Sequence, residues 1–111
     1  MPLPPFIDAL HRPALPLPED KVSARALRSD KGLVVFFTFH EDVDLPAHSH
    51  GAQWGTVLEG SMELTISGET RTVRPGDSYS IPAGAEHSAR IPAGAVILDI
   101  FEEADRYALS D

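Results

Sequence analysis

The sequence predicts an all-β fold, built as one sandwich or barrel. Short runs rich in β-branched and aromatic residues recur from Val22 to Phe101, and turn residues separate them every few positions. Met62, Leu64 and Ile66 alternate with polar residues, which is the period of a strand with one covered face. At 111 residues the chain is long enough for one core and too short for a second domain.

Turn residues divide this region into eight predicted strands. Three of the turns end in a glycine: Lys31-Gly32, Ser67-Gly68 and Pro75-Gly76. The predicted strands are Val22–Leu27, Leu33–His40, Trp54–Glu59, Met62–Ile66, Thr70–Val73, Ser78–Ile81, Glu86–Ile91 and Val96–Phe101.

The chain divides into an arm at residues 1–20, a barrel at residues 21–101 and an acidic C-terminal tail at residues 102–111. Six of the 10 prolines fall in residues 2–18, and such density predicts an extended or irregular N-terminal arm. The tail is predicted to be a surface turn or a short helix.

Composition excludes several classes of function. The 17 acidic and 9 basic residues give a net charge of −8, the wrong sign for binding nucleic acid or an anionic membrane. There is no cysteine, so a metal site has only nitrogen and oxygen donors. The first residues lack the basic start and apolar stretch of a signal peptide, and no run matches a membrane span, so we expect a cytoplasmic protein.

Three histidines lie among glycines and prolines in a pattern that suits one metal ion. The i, i+2 spacing of His48 and His50 predicts two imidazoles on the same face of an extended strand. Alone, such a pair is more often a surface or core feature of a strand than a pair of ligands. His87 follows Pro82 and Gly84 across a turn, and strands that pair or face each other can bring all three rings together.

The residues around these histidines carry a resemblance to a known family. His48-x-His50 precedes Val-Leu-Glu-Gly at 57–60, and Pro-Gly-Asp at 75–77 precedes Ile-Pro-Ala-Gly-x-x-His at 81–87. This resembles the two motifs of the cupin superfamily, and it covers residues 46–87 closely. The resemblance implies an antiparallel jelly-roll barrel, usually dimeric, with a metal in its mouth. A fourth ligand, usually glutamate, follows the histidine pair, and Gln53 stands at its position after a shortened loop.

The resemblance therefore implies one divalent transition metal per chain, of the kinds that nitrogen-rich sites bind: Zn, Ni, Fe, Mn or Cu. Its predicted ligands are His48, His50, Gln53 and His87. Because a neutral amide replaces a carboxylate, the ion keeps its full +2 charge and attracts an anionic small molecule more strongly.

The last strand carries a second resemblance. Asp99 and Phe101 share a face, and Arg106 and Tyr107 follow. This is similar to the small single-domain cupins of pectin and alginate breakdown, which ketonise unsaturated uronates. The resemblance implies that Asp99 relays a proton and that Arg106 or Arg90 pairs with the substrate carboxylate. The alternative is structural, with Asp99 an outward edge charge and Phe101 a packing residue.

The predicted catalytic residues are Asp99 and Arg106, and the predicted substrate-binding residues are Phe101, Arg90 and Tyr79. We expect ketonisation or isomerisation of an unsaturated sugar acid. A non-haem metal dioxygenase and a non-catalytic small-molecule-binding cupin remain open, because many chemistries share one fold. Large apolar residues on both faces of residues 33–37 also predict a homodimer, with the arm lying across the interface.

Overall fold

Two antiparallel sheets enclose one core, and a small third sheet joins the N-terminal arm to the C-terminal tail. The computed structural model describes residues 1–110, so Asp111, the last residue of the predicted tail, lies outside it. In chain order the elements are α1 (Pro5–Asp8), β1 (Arg12–Pro13), β2 (Val22–Ser29), β3 (Gly32–Phe39), β4 (Val43–His48), β5 (Gln53–Glu59), β6 (Met62–Ile66), β7 (Glu69–Val73), β8 (Ser78–Ile81), β9 (His87–Ile91), β10 (Val96–Phe101) and β11 (Leu109–Ser110).

The strand orders confirm the predicted antiparallel jelly-roll barrel. The five-stranded sheet runs β2-β3-β10-β5-β8, the four-stranded sheet runs β4-β9-β6-β7, and β1 pairs with β11. Strict alternation along β3 buries Leu33, Val35, Phe37 and Phe39 in the core. The alternation predicted in β6 also holds, since Met62 and Leu64 are buried. Each sheet therefore gives one face to a shared core.

The sequence did not predict β4, because Pro46 lies within it. A proline cannot donate to a sheet, so it is confined to edge strands and bulges. Strand β4 is an edge strand, and its register with β9 shifts between Leu45 and His48. Pro46 thus occupies a β-bulge, which bends the strand just before His48.

The arm and the tail are more regular than predicted. Proline at the first position of a helix loses no hydrogen bond, and Pro5 begins the single turn of α1. Arg12 and Pro13 then pair with Ser110 and Leu109, so the tail ends as a short strand and contains no helix in the part of it that the structure describes. The arm and tail are therefore held to each other across one side of the barrel.

The outer face of the five-stranded sheet carries an apolar row. Leu27, Val34, Ile100 and Trp54 are successive cross-strand neighbours on β2, β3, β10 and β5. Leu27, Trp54 and Ile100 are 53%, 41% and 40% exposed. This outer apolar row contains Val34 of the run at residues 33–37, and the homodimer stays a prediction. Within residues 1–110 no helix has the length and hydropathy needed to cross a membrane.

Candidate metal centre

Strand pairing and one turn bring the three predicted histidines together. His48, at the end of β4, is the direct partner of His87 on β9, and their ring centroids lie 4.2 Å apart. The sequence predicted that His48 and His50 share one strand. Strand β4 instead ends at His48, and His50 lies in the loop that follows. The loop instead places the His50 ring 4.7 Å from His87 and 5.4 Å from His48.

A backbone contact holds this loop against the second motif. The amide of Gly84 donates to the carbonyl of His50 at 2.8 Å. Gly84 has φ +79°, in the left-handed region that glycine adopts without strain. The glycine of the Ile-Pro-Ala-Gly turn therefore docks the loop that carries His50 and brings the two motifs into contact.

In each of the three histidines, one ring nitrogen forms a hydrogen bond with a backbone carbonyl oxygen. The Nδ1 atoms of His48 and His50 lie 2.8 Å from the carbonyl oxygens of Pro46 and Gly51, and that of His87 lies 3.0 Å from the carbonyl oxygen of Ala85. A carbonyl oxygen only accepts hydrogen bonds, so each Nδ1 carries the proton. In the neutral ring, Nε2 is then left with a free lone pair.

The free nitrogens suit a transition metal. The possible ligand atoms of His48, His50 and His87 all lie within 4.8 Å of one another. Burial lowers the pKa of His50 and of His87, which favours the neutral rings that a metal requires. Three imidazoles that lie close together and are oriented by backbone carbonyls form a site that can hold one ion.

Beside the histidines, Asp99 is buried at the centre of a hydrogen-bond network. It is 7% exposed and faces inward, so its interpretation as an outward edge charge is wrong. The Tyr79 hydroxyl donates to Asp99 Oδ1, and the side chain of Gln53 also forms a hydrogen bond with this carboxylate. Gly55 makes room for the network, because a Cβ there would collide with both Asp99 and Tyr79.

The network changes the acidity of its members. Burial raises the pKa of Asp99 from 3.8 to about 6, and the hydrogen bonds from Tyr79 and Gln53 limit the rise. Burial and the neighbouring Asp99 carboxylate raise the pKa of the Tyr79 hydroxyl well above its ordinary value of 10.0. Tyr79 therefore stays a neutral donor, while Asp99 is close to the point at which it both gives and accepts a proton near neutral pH.

Gln53 belongs both to this network and to the wall of the histidine cavity. It begins β5 and lines the same cavity as His48, His50 and His87. An ionised carboxylate only accepts hydrogen bonds, so the amide nitrogen of Gln53 is the donor to Asp99. The amide oxygen is then the atom available to a cation, which keeps Gln53 as our proposed fourth ligand.

Aromatic rings surround the arginine that the sequence predicted to be catalytic. Arg106 lies 4.9 Å from the ring centroid of Tyr107 and 6.0 Å from that of Phe101. Its Nε is buried and has no hydrogen-bond partner within residues 1–110. The Phe101 ring also packs at 5.7 Å from His50. The structure thus brings Phe101, Tyr79 and Arg106 to the cavity, as the sequence predicted.

Arg90 is not part of the site, and its predicted role in substrate binding is wrong. Strand β9 turns His87, Ala89 and Ile91 inward and Arg90 outward. The guanidinium lies on the exposed face of the four-stranded sheet, 3.8 Å from an Asp44 carboxylate oxygen and 4.0 Å from one of Glu63. Arg90 is therefore a solvated cation that lies near two carboxylates on the outer surface of the sheet.

The tail contributes a contact that the sequence did not reveal. Glu103 accepts a hydrogen bond from the Gly51 amide at 2.8 Å, and the Glu102 amide donates to the Ala52 carbonyl at 2.9 Å. These bonds fix the segment that orients His50. Nothing local in an acidic tail distinguishes Glu103 from its neighbours, since the partners are about fifty residues apart in the chain.

One cavity of about 100 Å³ lies inside the barrel. Its polar lining side chains are those of the three histidines, Gln53, Tyr79, Asp99, Arg106 and Tyr107, and the rest of the wall is apolar. Leu15 and Leu17 of the arm form part of that wall, although the sequence indicated no role for the arm in the site. Their i, i+2 spacing is the signal that was available, since it aligns two leucines on one side of an extended segment.

Residues 35–101 match the family model of the cupin domain, and the three histidines lie within this match. The chain belongs to the cupin family. This cupin is 34% identical over 62 residues to the mannose-1-phosphate guanylyltransferase ManC of Salmonella typhimurium, a match that covers 56% of this chain and 13% of that protein. The chain is thus similar to only a small part of that relative.

Solved structures extend the likeness to most of the chain. KdgF from Halomonas sp. is 25% identical, with a TM-score of 0.66 over 76% of this cupin and 81% of KdgF. An RmlC-like cupin from Shewanella frigidimarina is 21% identical, with a TM-score of 0.76 over 89% of this chain and 88% of that one. The second likeness supports the fold alone.

Proposed function

We propose that this cupin is a metal-dependent enzyme that moves a proton within a small carboxylate substrate, converting an enol or unsaturated acid to its keto form. The observation that carries the proposal is the buried Asp99, which shares one cavity with the three histidines. The similarity of its last strand to uronate-ketonising cupins and the likeness to KdgF support the same choice. An unsaturated sugar acid is therefore the first compound to test.

The proposed roles follow from the contacts. His48, His50 and His87, with the amide oxygen of Gln53, would hold one divalent ion. Such an ion supplies Lewis-acid polarisation of substrate oxygens when bound. Arg106 would pair with the substrate carboxylate through a guanidinium that the Phe101 and Tyr107 rings hold in place.

Asp99 is proposed as the proton relay. In its acid form it gives a proton to the substrate carbon, and the proton that the enol hydroxyl loses as the ketone forms returns the Asp99 carboxylate to its acid form, so the reaction consumes no net proton. Tyr79 holds the carboxyl in place, and burial raises the pKa of Asp99 to about 6 in the metal-free protein, which makes the acid form more accessible than in an exposed aspartate. A dioxygenase or a passive binding protein with the same ligands has no need of this buried acid, so Asp99 favours the isomerase.

The test is a spectroscopic assay for loss of an unsaturated uronate, made with zinc-loaded protein. We expect Asp99→Asn to lower kcat by roughly a hundredfold or more while metal content is unchanged. Asp44→Asn, on the outer face of the barrel, is the matched control. Equal turnover in the two variants would return Asp99 to a structural role.

A second pair of variants tests the carboxylate contact. We expect Arg106→Gln to raise KM by roughly tenfold to a hundredfold. Arg90→Gln, in which the lost charge is exposed, should leave KM as it is. Oxygen uptake measured with the same substrate distinguishes the dioxygenase alternative, and ligand binding without turnover distinguishes the non-catalytic one.

A further inference from the structure

We propose that the cavity has a second subsite, formed with the N-terminal arm, for a short apolar substituent of the substrate. This inference rests on the proposed function and narrows its substrate class. Among the enol and unsaturated acids of that class, those with a short aliphatic substituent should bind more tightly than those with several hydroxyl groups.

Most polar groups of the cavity already have hydrogen-bond partners within the protein. The three histidine Nδ1 atoms bind backbone carbonyls, and their Nε2 atoms face one another as candidate ligands. The Tyr79 hydroxyl and the Gln53 amide both go to Asp99. Arg106 and Tyr107 are the polar side chains that remain for the body of a ligand.

The remaining polar side chains can bind a carboxylate and one further oxygen atom of a ligand. They cannot provide hydrogen bonds for several hydroxyl groups. Each hydroxyl that loses water and finds no partner in the cavity weakens binding by roughly fivefold to a hundredfold. A sugar acid with several hydroxyl groups would bear this cost repeatedly.

The rest of the cavity wall is apolar, and the arm contributes part of it. Phe37, Phe39 and Met62 contribute from the barrel, and Leu15 and Leu17 contribute from the arm. Both leucines are only partly buried and pack against the core. The arm lies outside residues 35–101, so this wall is a feature that the family match does not include.

Hydrogen bonds fix the arm on both sides of these leucines. Before them, the Ala14 amide donates to the Ala108 carbonyl at 2.8 Å, next to the pairing of β1 with β11. After them, the Lys21 and Val22 amides donate to the Pro18 carbonyl at 3.0 and 3.1 Å. The wall is therefore held in place by the backbone at each end.

The size of the cavity limits the substituent. An apolar cavity of about 150 Å³ is known to stay dry and to hold one benzene-sized molecule. The histidines, Asp99 and Arg106 line the same cavity of about 100 Å³, so the substituent has only part of this volume, which suits a short alkyl chain. Each methylene buried there should strengthen binding by about fourfold.

The test is calorimetry of zinc-loaded protein with acids that share one head group: pyruvate, 2-oxobutanoate, 4-methyl-2-oxopentanoate and 2-oxogluconate. We expect affinity to rise through the first three, by roughly tenfold or more from pyruvate to 4-methyl-2-oxopentanoate. The hydroxylated acid should bind no more tightly than pyruvate. Tighter binding of 2-oxogluconate than of 4-methyl-2-oxopentanoate would overturn the proposal.

Variants assign the preference to the arm. Leu15→Ser and Leu17→Ser should reduce the preference for 4-methyl-2-oxopentanoate over pyruvate by roughly threefold to tenfold each, with pyruvate affinity unchanged. Leu10→Ser is the matched control, since Leu10 is also half-buried in the arm and does not line the cavity. An equal loss for both acids, or the same loss in the control, would count against the subsite.

The two proposals fail in different ways. Pyruvate binding with no effect of the alkyl group would contradict the apolar subsite and leave the proton-transfer reaction standing. A clear alkyl preference with no turnover of any enol acid, in wild-type protein with full metal content, would contradict the enzyme and leave the subsite standing.

Discussion

Replacing Asp99 by asparagine in the metal-free protein should change how stability depends on pH. Burial raises the pKa of this carboxyl from 3.8 to about 6, so the folded protein holds the proton more tightly than the unfolded chain. Its contribution to the free energy of unfolding is complete below pH 3.8 and falls as the pH rises toward 6. Above that value both states are ionised and the loss is complete.

The rise in the pKa of Asp99 from 3.8 to about 6 corresponds to a change of about 3 kcal/mol in the free energy of unfolding. A domain of ordinary stability has only about 5–15 kcal/mol, so the effect is measurable. An asparagine side chain binds no proton in either state, so the stability curve of the variant lacks this fall. Relative to the wild type, Asp99→Asn should gain about 3 kcal/mol between about pH 4 and about pH 7.

Urea unfolding of chelator-treated proteins across this pH range measures the difference directly. The comparison variant is Asp44→Asn, which removes a carboxylate from the exposed face. A gap between wild type and Asp99→Asn that is the same at both ends of the range would refute the burial argument. Added zinc should move the transition to lower pH, because a nearby cation stabilises the ionised carboxylate.

Three further predictions concern the metal, its charge and the assembly. His87→Ala should lose the one divalent ion per chain by elemental analysis, whereas His40→Ala should keep it; full occupancy in the first would contradict a shared site. Gln53→Glu should keep or tighten metal binding and weaken anion binding roughly tenfold to a hundredfold by calorimetry, since the site charge falls from +2 to +1; unchanged anion affinity would refute the charge argument. Light scattering should give twice the 12.0 kDa chain mass, and Ile100→Asp, in the outer apolar row, should give the single mass; a single mass for the wild type would exclude the dimer.

The sequence predicted what local periodicity and turn chemistry determine. Strand β10 shows this well, since the spacing of Asp99 and Phe101 placed both side chains on one face, and the structure turns both inward. The same rule would have excluded Arg90, whose position on β9 is opposite in parity to His87 and Ile91. The role that the resemblance implied for an arginine therefore does not extend to Arg90, because its side chain lies on the outer face.

Other features depend on contacts between distant segments. Pro46 argues against a strand until the bulge and the edge position of β4 are known. Leu15 and Glu103 reach the site from opposite ends of the chain. The spacing of Leu15 and Leu17 indicated a shared side but not the cavity that it faces, and nothing beside Glu103 marked it as a loop contact. Tyr79 was predicted to bind substrate, but it was the structure that identified Asp99 as its partner.

The orientation of the histidines has a consequence for how the ion arrives. In many small metal domains the ligands come together only when the metal binds, so folding and loading are one event. Here backbone carbonyls already hold His48, His50 and His87 with their Nδ1 atoms engaged. Such a preformed receptor loses little conformational entropy on loading. We expect that an ion held there would exchange without unfolding of the domain, so that the metal supply of the surroundings would decide which ion is bound.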